Sequence, residues 1–86
     1  MFEAVQFVEV RDREEPDQVV IGTFADEIGA VEATRAAKAE YAESGSDDFA
    51  WWVVRQSGAR LAQFIADSRS DKEFVLDLTT GQLIEV

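Results

Sequence analysis

Six consecutive apolar residues, Phe49-Ala-Trp-Trp-Val-Val54, constrain this 86-residue chain more than any other feature. Phe49 to Gln56 have the aromatic and β-branched content of a strand, and successive side chains of a strand point to opposite faces. Phe49, Trp51 and Val53 therefore share one face, and Ala50, Trp52 and Val54 share the other. The next strand, Arg60 to Asp67, repeats the pattern: Leu61 and Ile65 lie on one side, and Ala62, Phe64 and Ala66 on the other. Both faces of a sheet built from these strands are apolar, so both need cover.

Only one segment has helical periodicity. From about Asp26 to Ser44, Ile28, Val31, Thr34, Lys38, Tyr41 and Ala42 fall on one side, while Asp26, Glu32, Glu40 and Glu43 fall opposite. Thr23 and Asp26 have the spacing of a capping box, acidic residues suit the helix start, and Gly45 suits a left-handed end. The alanines make a shallow apolar face that packs closely on a sheet.

The remaining segments read as strands. Phe2 to Arg11 has imperfect alternation, which reads as a strand with apolar groups on both faces or as a bulge near Phe7 and Val8, and the charged, proline-bearing stretch Asp12 to Asp17 predicts a hairpin loop before a second strand, Gln18 to Phe24. Ser57-Gly58-Ala59 joins the third and fourth strands, and Glu73 to Leu78 and Gln82 to Val86 form a last hairpin through Gly81. The expected fold is a single α+β domain over residues 1–86. It has one antiparallel, strongly twisted sheet of five to six strands and one helix on one face, in the order ββαββββ.

One helix covers one face. The second face is covered by curling of the sheet into a partial barrel, by a second copy packed sheet to sheet, or by another protein or an apolar ligand.

The chain contains no cysteine and no histidine. This removes thiolate nucleophiles, sulfur-ligated metals, the commonest general base and the commonest metal ligand together, so the expectation is a protein that is not an enzyme and carries no cofactor. Asp67, Asp71 and Glu73 loosely suggest an oxygen-rich cation loop, but Arg69 and Lys72 interrupt it and the calcium-loop glycine and spacing are missing; a solvated hairpin turn is the better reading. Adjacent Asp47 and Asp48 in a Ser/Gly loop read the same way.

The net charge of −10 is uneven: residues 1 to 48 carry 13 acids and 4 bases, and residues 49 to 86 carry 5 and 4. Such a field repels phosphates and anionic lipid, so neither direct nucleic-acid binding nor membrane association is expected. No apolar run reaches the ~18 residues of a membrane span, and the start lacks a basic signal region, which points to a cytoplasmic protein.

Two partner-binding candidates follow. Trp51 and Trp52 with Arg55 could anchor a protein contact, one indole necessarily facing away from its neighbour. Glu14 and Glu15 of the first hairpin loop, with Glu40 and Glu43 of the helix, could form one acidic surface that docks a basic partner. The leading expectation is a small acidic interaction module that forms a homodimer through its apolar sheet face. The alternative is an inhibitor or antitoxin-like protein whose carboxylates imitate a nucleic-acid backbone.

Overall fold

A computed structural model describes residues 1–86. The elements are β1 (Phe2–Val8), β2 (Asp17–Phe24), α1 (Glu27–Ser44), β3 (Ala50–Gln56), β4 (Ala62–Asp67), β5 (Glu73–Leu76) and β6 (Leu83–Glu85). The strands form one antiparallel sheet in the spatial order β2-β1-β3-β4-β5-β6, so the fold is α+β with the expected ββαββββ order. The sheet is open, with β2 and β6 as its two unpaired edges.

Several strands are shorter than their sequence patterns. β1 ends at Val8, where pairing with β2 stops at Asp17, and the charged segment beyond turns through Asp12 in the left-handed region at φ 74°. The β1–β2 irregularity also lies elsewhere than expected: register shifts between Ala4 and Val5, which face Gly22 and Val20, so β2 holds the extra residue, Ile21. β1 itself pairs with β3 without a break, so of the two readings of its pattern the strand with apolar groups on both faces holds and the bulge near Phe7 and Val8 does not. A second shift, opposite Val54 and Arg55, leaves Gln63 of β4 as the extra residue.

The helix starts on a different cap from the one expected. Asp26 is the N-cap, with extended backbone, and its carboxylate accepts the Gly29 N–H at 2.7 Å. Thr23 remains within β2, one residue before its end at Phe24. Gly45 ends the helix at φ 73°, as its position predicts.

The helix presents most of its expected face, with Thr34 buried and Val31, Lys38 and Tyr41 partly buried, but not the ends of that face, Ile28 and Ala42, which are exposed. Ala30 and Thr34 are its buried residues, whereas Ile28 is 76% exposed. Alanine at the contact lets the backbone approach the sheet closely, and the bulky Ile28 is turned to the flank. Ala30 joins Ala4, Val54, Phe64 and Ala66 in the core, with Phe2, Phe24, Val31, Ala33 and Val75 packed around it.

β3 supplies the largest core side chain. Trp52 is fully buried, donates its Nε1–H to Gln6 Oε1 at 2.8 Å, and meets the Tyr41 ring edge-on at 5.7 Å. The Tyr41 hydroxyl in turn donates to the Asp48 carbonyl at 2.7 Å, tying the last turns of α1 to the loop that enters β3. Three other contacts hold the helix to the far end of the sheet: Arg35 Nε and Nη2 donate to the two Glu73 oxygens at 3.0 and 2.8 Å, and Lys38 Nζ donates to the Ser70 carbonyl at 2.6 Å. No helix is long and apolar enough to cross a membrane.

Candidate interaction surface

Odd-numbered residues of β1 and β3 face away from α1, and their chemistry sets the properties of the second sheet face. Across the register, Val5, Val53, Ile65 and Phe74 form one apolar row, and Phe7 and Trp51 form a second beside it. Val5 and Val53 are buried although no helix or strand crosses this face. Their cover comes from the side chains beside them, while Phe7, Trp51, Ile65, Phe74 and Leu76 stay half-buried.

The aromatic rings of this face occupy one another. Phe7 and Trp51 stack with centroids 5.2 Å apart and planes at 8°; Phe49 stacks on Trp51 at 5.6 Å and 28°. The guanidinium of Arg69 lies 5.0 Å from the centre of the Phe49 ring and ends the row. Phe7 and Phe49 both stack on the Trp51 ring, so its π surface is already engaged within the face.

Charge on this face is paired locally. Arg55 Nε reaches Glu3 Oε1 at 3.2 Å, with both side chains about one-fifth exposed, and Lys72 Nζ lies 3.6 Å from Glu85. Asp67, opposite Trp51, accepts the Arg69 N–H at 2.8 Å and the Ser70 hydroxyl at 3.3 Å. Asp67 is thus engaged within its turn, and Glu73 is engaged by Arg35. Hydrogen bonds from Arg35 hold the Glu73 carboxyl below its ordinary value, against a smaller opposing effect of partial burial. The same contact raises the Arg35 guanidinium.

The sequence-derived candidates are distributed over several places. Trp51 lies on the open face and Trp52 lies beneath α1, with no exposed surface to offer a partner. Arg55 is held by Glu3, and the cation that meets an aromatic ring is Arg69 instead. Arg69 sits 20 residues from Phe49, and only the turn between β4 and β5 brings them together.

Glu14 lines a groove of about 430 Å³ with Asp47 and Asp48, but Arg11, Arg13 and Arg69 line it too. Arg13 is paired with Asp17. Glu15 is exposed in the hairpin loop, and Glu40 and Glu43 are exposed on α1; none of the three lines that groove. The four glutamates therefore lie on two separate elements, the β1–β2 loop and α1, only Glu14 lines the groove, and the groove is of mixed charge.

Comparison with protein-family models, with curated proteins and with solved structures gives no significant match.

Proposed function

We propose that this domain is a protein-interaction module that associates with a second copy of itself through the open sheet face, without catalytic chemistry. The observation that carries this reading is the separation of charge from apolar surface. Phe7, Trp51, Val53, Ile65 and Phe74 share a face on which Glu3 is paired with Arg55 and Glu85 with Lys72. The unbalanced acids lie in the β1–β2 loop, on α1 and in the loop before β3. Two such faces can meet without bringing the −10 charge of each chain into contact.

Sedimentation velocity over a range of concentration tests it. The wild type is expected to dimerise, with little loss as salt rises, and Trp51→Glu or Ile65→Glu is expected to give a folded monomer. If both variants sediment like the wild type, the sheet-face reading fails. A parallel variant in which Glu14, Glu15, Glu40 and Glu43 are all Gln should leave self-association unchanged. Loss of a basic partner in that variant, with steep salt dependence, would favour the nucleic-acid-mimic reading instead.

A further inference from the structure

At the end of the sheet where β1 leaves and β3 enters, three connections form one groove of about 430 Å³, within the roughly 300–1,000 Å³ of small-molecule sites. The β1–β2 loop, the loop before β3 and the β4–β5 turn each supply a wall. Hydrogen bonds of the fold fix these walls. Glu9 N–H donates to the Phe49 carbonyl, Arg13 N–H to the Val10 carbonyl and the Tyr41 hydroxyl to the Asp48 carbonyl, while the Asp67 carboxylate accepts the Arg69 N–H.

The groove keeps opposite charges apart. Glu9, Glu14, Asp47 and Asp48 line it, and none of the four forms an ion pair. Three guanidiniums line it too, and Arg13 is taken by Asp17, which leaves Arg11 and Arg69 without a carboxylate partner. Elsewhere arginines have closed on the acids beside them, Arg35 on Glu73 and Glu32 and Arg55 on Glu3. Arg11 and Arg69 share a groove with four carboxylates and close on none, so the space between the charges is open to a ligand that carries both signs.

We infer that the groove binds a free basic α-amino acid. Its carboxylate meets Arg11 and Arg69, its α-ammonium and side-chain cation meet the carboxylates of the two acidic walls, and its methylene stem lies on Val10, Pro16 and Phe49. Charge selects this class. With Arg13 neutralised by Asp17, four carboxylates face two guanidiniums, a surplus of two negative charges. A ligand with two cations and one carboxylate offsets part of that surplus, whereas an acidic amino acid adds to it. The neighbouring Asp12 and Glu15 and the net charge of −10 have the same sign as the surplus, so the surroundings reinforce the selection. The site lies on the connections and needs neither the open sheet face nor a second copy.

NMR titration of the isotope-labelled full chain tests it with three probes: L-arginine, L-glutamate, and agmatine, which is arginine without its carboxylate. L-Arginine is expected to shift the amides of residues 9–16, 47–49 and 69, and L-glutamate to shift none of them. The negative field by itself favours agmatine, which carries two positive charges against a net one for L-arginine. The site is expected to reverse that order and bind L-arginine about tenfold more tightly, through the carboxylate that agmatine lacks. Arg11→Gln should abolish the preference for L-arginine, and Asp48→Asn should weaken both cationic probes; both side chains are exposed, so the variants keep the wild-type circular dichroism. Agmatine binding as tightly as L-arginine would overturn the proposal, and so would a preference that Arg11→Gln leaves unchanged. Shifts scattered equally over the acids of α1, or no shift with L-arginine at about 20 mM, would overturn it as well.

Discussion

Trp51 and Trp52 are adjacent in the chain and lie on opposite sides of the sheet: Trp52 is fully buried against Tyr41 and Gln6, and Trp51 is half-buried against Phe7 on the open face. Their substitutions should therefore separate folding from association. Trp52→Ala removes the largest core side chain and is expected to cost about 3–5 kcal/mol in urea unfolding. Trp51→Ala is expected to cost much less in dilute solution and to lower self-association instead. Equal stability losses would contradict the assignment of the two faces.

The helix cap makes a second prediction, because two residues competed for the role. Asp26→Ala removes the acceptor of the Gly29 N–H and is expected to lower stability by about 1 kcal/mol. Thr23→Ala removes no cap and should leave helix content unchanged by circular dichroism. The reverse ranking would return the helix start to Thr23.

Two carboxylates in the C-terminal hairpin link it to acid. Arg35 holds Glu73 below its ordinary value, and hydrogen bonds led by the Thr79 N–H do the same for Asp77. A depressed folded-state value means that the stabilisation is present above the unfolded value, near pH 4, and is lost as pH falls through the folded value. Residues 73–86 should thus lose amide protection below about pH 4, before β1 and β3 do. Glu73→Gln should flatten that dependence, and an unchanged profile would show that another group controls it.

Gln63 carries the one buried side-chain atom without a partner, its Oε1, at the irregularity between β3 and β4. Gln63→Met keeps the length of the side chain and removes the unsatisfied oxygen. It is expected to raise stability by about 1 kcal/mol in thermal or urea unfolding. A lower melting temperature would mean that the amide has a solvent partner.

The sequence carried the local geometry of the fold. Alternation along residues 49 to 54 put the two indoles on opposite faces, the segment ending at Gly45 was helical, and the element order followed from these patterns and the turn residues between them. The margins of the buried helix face were less legible. Hydropathy favours Ile28 at the sheet, but close packing favours Ala30, and the register shift at the Ala4/Val5 step depends on what β2 presents opposite.

The sequence by itself therefore determined the elements and their two-sided character, because backbone periodicity fixes which way neighbouring side chains point. Only the tertiary structure decided that α1 covers the face of Trp52 rather than that of Trp51, that β1 lies between β2 and β3, and that β2 becomes an edge. Only it brought Arg35 to Glu73 and Arg69 to Phe49. These outcomes depend on contacts between residues far apart in the chain. Backbone periodicity, which acts over a few residues, does not specify such contacts.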